Sequence, residues 1–153
     1  MARAKYQVLV IPYTKSDAEV LYCIFQRSDM ADCWQFVAGG GEEEDGAPLI
    51  SAKREAFEEA GIPLDAPFTQ LETTSSISTE HFPKASLHWG QHCLVIPEYC
   101  FAVKLSHKSI RLSDEHTRFA WVDYTTAIAR LQYDSNKVAL WELDNKIQSG
   151  VLS

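Results

Sequence analysis

The sequence predicts an α/β fold: one mixed β-sheet with helices packed on its faces. Three observations predict it. Strand-like runs come in clusters, two helical stretches separate or follow them, and regular βαβ alternation is absent. With 153 residues, 46% of them apolar, the chain suits a single domain spanning positions 1–153 around an ordinary core. No repeat, low-complexity segment or linker interrupts it.

Tyr6 to Tyr13 (YQVLVIPY) is rich in β-branched and aromatic residues, and the polar TKSDAE separates it from VLYCIFQR, so the two read as a hairpin. QRSDMADCW is a polar loop, and QFVAGGG a short strand running into glycines. Ala47 to Ala60 reads as a helix, because Pro48 suits the first helical position, Gly61 suits the stop and Pro63 prevents continuation. PFTQLETTSSIS follows as a strand, then CLVIPEYCFAVKL as a long strand region interrupted at Pro97. A last short strand runs from Arg118 to Val122. In the tail, Ile128, Leu131, Val138, Leu140, Trp141 and Ile147 fall at mixed helical spacing, giving one helix from about Ser135 to Gln148 and a short one before it.

The formal charge is −7, and it is concentrated. Gly39 to Ile62 carries Glu42, Glu43, Glu44, Asp45, Glu55, Glu58 and Glu59 against only Lys53 and Arg54. Binding polymeric nucleic acid through its phosphates needs a basic patch, so that class is disfavoured, and a divalent cation fits better. No apolar run approaches the ~20 residues of a membrane span, and the start MARAKYQVLVIPY lacks the features of a signal peptide. No membrane partner and a cytoplasmic location are expected. Cys23, Cys33, Cys93 and Cys100 form no C-x-x-C pair and read as reduced thiols that pack as small apolar residues.

On the helix, residues three and four apart share a face. Glu55, Glu58 and Glu59 therefore form one arc, with Leu49, Ala52, Ala56, Phe57 and Ala60 expected mainly on the opposite, core side. Glu58 and Glu59 also stand in the last turn, where the helix dipole disfavours acids by about 0.3–1 kcal/mol each. A solvated acidic face is one explanation. The adjoining glycines supply another, since bare backbone carbonyls beside clustered carboxylates make a hard oxygen site for Mg²⁺ or Mn²⁺.

Gly39 to Ile62 also resembles the box of the Nudix hydrolases, G-x5-E-x7-R-E-U-x-E-E-x-G-U with U aliphatic. Gly40 opens it, and Arg54, Glu55, Ala56, Glu58, Glu59, Gly61 and Ile62 occupy the later positions in order. The pattern's first glutamate falls on Gly46, and Asp45 or Glu44 is expected to substitute after a local shift of the loop. The resemblance implies an α/β/α sandwich around a mixed sheet, and hydrolysis of a diphosphate linkage with a divalent cation. It implies further that Glu55, Glu58, Glu59 and the Gly39 carbonyl bind metal while Arg54 orients Glu55. Glu115, on the loop before the last strand, falls where the family places a second candidate base, as base or additional ligand, and His116 reads as a surface or orienting residue.

Outside the box, QRSDMADCWQFVAGGG, SDEHTRFAWVDY and SNKVALWEL resemble a bacterial branch of the family that acts on a pterin triphosphate. The implied reaction cleaves a nucleoside or pterin triphosphate to a monophosphate and pyrophosphate. Trp34, Gln35, Phe82, Trp89 and Tyr133 are candidates to receive the ring, Trp34 foremost, and Arg27 to meet the outer phosphate. His81, His88 and His92 are expected on a substrate-side loop and not in a zinc site, because Pro83 and Gly90 break any helix there. A nucleotide sugar or dinucleotide polyphosphate is the competing substrate, and a non-catalytic nucleotide-binding module the competing role.

Overall fold

The computed structural model describes residues 2–153. Its strands are β1 (Arg3–Lys15), β2 (Val20–Arg27), β3 (Trp34–Gln35), β4 (Val37–Glu42), β5 (Phe68–Ser78), β6 (Val95–Lys104) and β7 (His116–Val122). The helices are α1 (Pro48–Ala60), α2 (Ala85–Trp89), α3 (Tyr124–Arg130) and α4 (Asp134–Gln148). The sheet runs β3-β2-β1-β6-β5, with β4 also on β1 and β7 on β2. It is mixed because β6 pairs parallel to β1 while the other pairings are antiparallel.

Period-two alternation sends the two sides of β1 into different cores. Val8 and Val10 pack with Phe25, Val37, Phe101 and the α1 alanines, whereas Leu9 and Ile11 pack with Phe36, Leu140, Leu143 and Ile147 beneath α3 and α4. The result is the α/β/α sandwich. Cys23, Cys33 and Cys100 are buried, and all four cysteines are free thiols.

Three expectations are corrected. Pro83 and Gly90 do not exclude a helix but bound one, since the five residues of α2 fit between them with His88 on it. The sixth strand continues through Pro97, which pairs with Ser76 of β5, while pairing to β1 begins only at Glu98. At Pro97 the strand thus has one neighbour, and the missing N–H leaves no ladder bond unmade. On α1, Ala52, Ala56 and Ala60 face the sheet, but Leu49 and Phe57 are exposed. Three small residues bring the helix close, so its buried stripe is narrow, and Phe57 lies outside it beneath the Arg111 guanidinium, 5.7 Å from the ring centre.

One device joins the layers. The β5–β6 register shifts between Gln70 and Thr74, and the amides freed there turn to α4: Glu72 N–H and Thr73 N–H donate to Glu142 at 2.6 and 2.8 Å. Thr73 Oγ1 donates to the same carboxylate as well, and Lys146 adds a fourth donor at 2.7 Å. Burial works against ionisation of Glu142, but these donors outweigh it and hold the group at about 2. Its unfolded value is about 4.3, so the stabilisation is present above pH ~4.3 and is lost as pH falls towards 2. Glu142→Gln is expected to lower stability by about 3 kcal/mol at neutral pH. Urea unfolding across pH should show that deficit closing in acid, and a constant deficit would contradict this role.

Candidate active site

Three pieces of local chemistry converge at one end of the sheet. The glycines of β4 carry no side chains, so α1 can lie against that strand. A short 3₁₀ turn, Glu43–Asp45, links the two and ends at Gly46 in the left-handed region, φ 80°. The loop before β7 then closes over the C-terminal end of α1, where Arg111 N–H and Ser113 N–H donate to the carbonyls of Ala60 and Glu59 at 2.9 and 3.2 Å.

The three box glutamates do not share one environment. Glu55 and Glu59 flank the alanine row and are 12% and 7% exposed at the side chain, whereas Glu58 stands off it at 53%. Glu59 therefore lies at the buried edge of the acidic arc and not on a solvent face. The Glu55 carboxyl rests on the backbone of Gly39, where an added Cβ would lie 2.1 Å from Glu55 Cδ. Burial pushes Glu55 up to about 7, against the pull of Arg54.

Arg54 ties the turn, strand and helix together. Its Nη1 donates to Glu55 Oε1 at 3.0 Å, and its Nη2 to the Gly40 carbonyl at 3.0 Å. Nη2 and Nε also reach the two Asp45 oxygens at 2.9 and 3.3 Å. Asp45 accepts in addition from Ser51 Oγ at 2.6 Å and from the Glu42 N–H at 3.1 Å, and Tyr6 lies 2.6 Å from Ser51 Oγ behind it. The Arg54 bonds outweigh burial and hold Asp45 at about 2. Arg54 is thus met by a carboxylate one residue before the left-handed Gly46.

The far end of α1 carries a second acid pair. Glu59 accepts from Ser113 Oγ at 2.5 Å, and His116 Nδ1 lies 3.6 Å from the same oxygen. His116 is not a surface residue as expected: it is buried against Phe25, ring centres 5.4 Å apart. Burial, and secondarily the Glu59 charge, push the exposed Glu115 above its ordinary value, and the Glu115 N–H donates at 3.3 Å to Ser113 Oγ, the hydroxyl that donates to Glu59. Among the described residues, no three His, Cys, Asp or Glu side chains converge on one point, because Arg54 draws Glu55 and lies 3.5 Å from Glu58. The donor set nevertheless fits Mg²⁺ or Mn²⁺: all hard oxygens, with Glu55 short of compensating charge and both Glu58 and Glu115 exposed enough to turn.

A cleft of about 850 Å³, within the range of small-molecule sites, has Glu115 in its wall and none of the three box glutamates. Arg27, Gln35, His81, Phe82, Glu115, His116 and Tyr133 line it, together with Gln7, Ser78 and Glu98. Arg27 donates to both Asp29 oxygens at 2.8 and 2.6 Å and to Tyr133 at 3.2 Å, so its fork is engaged within the protein. Trp34 is not in the wall. It pairs in β3 with Gln26, packs on the α3–α4 core and lies under Arg118, 5.6 Å from its ring centre. Trp89 is buried and donates to the Arg3 carbonyl at 3.0 Å. A smaller hollow, about 540 Å³ and lined in part by Lys15, Lys104 and Lys108, lies at the other end of β1 and holds none of the box acids.

Sequence reasoning missed Ser113, Ser51, Tyr6 and Arg3. Arg3 donates to Gln7 at 3.1 Å and lies over Phe82, 4.8 Å from the ring centre. It also missed Glu98, for which a signal was present: one acid inside the otherwise apolar VIPEYCFAVK.

Acids arrayed along a helix beside a side-chain-free strand, on an α/β/α sandwich, define a hydrolase of diphosphate bonds. The chain belongs to the Nudix family: the NUDIX domain matches residues 4–141, and Nudix hydrolases generally use divalent metal ions. Over 134 residues, 87% of either chain, it is 30% identical to the dihydroneopterin triphosphate diphosphatase of Escherichia coli strain K12. A Listeria monocytogenes crystal structure described as a NUDIX hydrolase superposes with a TM-score of 0.85 at 41% identity, covering 96% of this chain and 97% of that one. The Caenorhabditis elegans Ap4A hydrolase complex shares the fold, with a TM-score of 0.73 at 19% identity over 95% and 99% of the two chains. Among the described residues, no helix is long and apolar enough to cross a membrane.

Proposed function

We propose that the protein is a Mg²⁺- or Mn²⁺-dependent pyrophosphohydrolase that cleaves a nucleoside or pterin triphosphate to a monophosphate and pyrophosphate. The observation that carries this reading is the row Glu55, Glu58 and Glu59 along α1, with the Gly39 backbone against Glu55 and with Glu115, next to the Ser113 that holds Glu59, in the wall of a ring-sized cleft. The name of the Escherichia coli relative supports a pterin triphosphate in particular.

In this reading Glu55, Glu58, Glu59 and the Gly39 carbonyl hold the cation, which when bound offsets diphosphate charge and acidifies a water. Arg54 fixes the Glu55 rotamer through Oε1 and, through the Gly40 carbonyl, sets the distance between strand and helix. Ser113 fixes Glu59. Glu115 takes the proton of the attacking water, a task suited to a carboxyl whose proton affinity is raised. Tyr133 and Phe82 supply flat surface for the ring.

A substrate panel tests this reading: pterin and nucleoside triphosphates, nucleotide sugars and dinucleotide polyphosphates, each with Mg²⁺ or Mn²⁺. Phosphate is measured with and without added inorganic pyrophosphatase. The expected result is a triphosphate whose signal requires pyrophosphatase and disappears with EDTA. Release of a sugar phosphate or of two organic monophosphates would replace the triphosphate assignment, and binding without turnover would leave a nucleotide-binding module.

A further inference from the structure

Glu98 is 3% exposed on β6, and its Oε1 is buried with no hydrogen-bond partner among the described residues. In register it lies opposite Gln7 of β1, and both line the cleft. Their face of the sheet is the one that α3 and α4 cover further along, at Leu9 and Cys100. Past that cover, the polar pair forms a wall of the cleft. No cation answers Glu98. Arg3 is given to Gln7, Arg27 is given to Asp29, and burial alone pushes Glu98 up to about 7. A buried carboxyl without a partner is costly, and such violations concentrate where a ligand completes the arrangement.

We infer that Glu98 is the residue that selects the ring: its carboxylate accepts two adjacent N–H groups of a 2-amino-4-oxo heterocycle, the edge shared by guanine and pterins. The inference rests on the triphosphate reading above and names the ring that reading leaves open. Gln7 complements it. Its Oε1 accepts from Arg3, which leaves Nε2 to donate to the ring's 4-oxo oxygen (O6 of guanine). The wall therefore presents one donor beside two acceptors, matching an edge of one acceptor and two donors. Adenine offers Glu98 a ring-nitrogen lone pair in place of an N–H, and hypoxanthine lacks the amino group, so each leaves a buried polar group unanswered.

The test compares GTP with ITP, which differ only in the 2-amino group, and with a pterin triphosphate. Wild-type kcat/KM is expected to favour GTP over ITP by about 10²-fold, with the pterin triphosphate at or above GTP. Glu98→Gln should lower the GTP and pterin values and bring GTP and ITP within about threefold, a change of ratio that a purely structural defect would not produce. Equal wild-type use of GTP and ITP would overturn the inference even if the variant does not fold, as would a preference that survives Glu98→Gln. Calorimetric binding of GMP, IMP and a pterin monophosphate separates this from failure of the hydrolytic reading. An inert protein should still prefer GMP to IMP, and an active one that binds both alike would sink the ring assignment alone.

Discussion

Glu58→Gln is expected to lower kcat by on the order of 10³-fold, about 4 kcal/mol of barrier, while the melting temperature stays within a degree or two of wild type. The side chain is half-exposed, and its ion pair is the 3.5 Å approach to Arg54. Such a contact contributes little to stability. A merely solvated acid would be dispensable, so loss of turnover in a fully folded variant can come only from the chemistry assigned to it. Circular dichroism and thermal unfolding beside steady-state rates decide the matter. Turnover within threefold of wild type would remove Glu58 from the cation site.

Asp45→Asn should damage both properties. Asp45 accepts two bonds from Arg54 and one each from Ser51 and the Glu42 amide, and its side chain is 9% exposed. Asparagine keeps the shape but not the charge, and it must point an N–H₂ group at one of these donors. Breaking one side of a largely buried pair costs up to about 3–5 kcal/mol. The exposure of Arg54, 22%, places the expected loss nearer about 2 kcal/mol. The freed Arg54 would no longer hold Glu55, so activity should fall by about 10–100-fold, as for partners that orient a metal ligand. Gly46→Glu, which restores the usual family residue, should not help, because φ of 80° strains any side chain there. Chemical denaturation and kcat for both variants check this, and a stable, fully active Asp45→Asn would assign the anchoring to another group.

The elements that follow from periodicity and punctuation could be read before the fold was known. Pro48, Gly61 and Pro63 bounded α1 correctly, and the β-branched and aromatic content of YQVLVIPY marked the central strand. What could not be read was set by neighbours distant in sequence. Glu59 looked like its exposed neighbour Glu58, because nothing near it in the chain announces that Ser113 and His116 close over that turn. Trp34 looked like a loop aromatic because pairing with Gln26 and cover by Arg118 depend on β2 and β7. Pro97 looked like an interruption because the sequence does not say where β1 stops pairing. The departure at Gly46 was visible, but which of Asp45 and Glu44 would meet Arg54 was not, because that depends on the left-handed turn at Gly46.

The glycines of β4 admit a side chain on each flank of the strand, Glu55 at Gly39 and Arg3 at Gly40. The box acids lie on the flank with Val8 and α1, and the Gln7–Glu98 wall lies on the other flank. On the proposed reading, bond cleavage and ring choice thus fall to opposite flanks of one strand, and substitutions at Gln7 or Glu98 would alter the cargo without touching the blade.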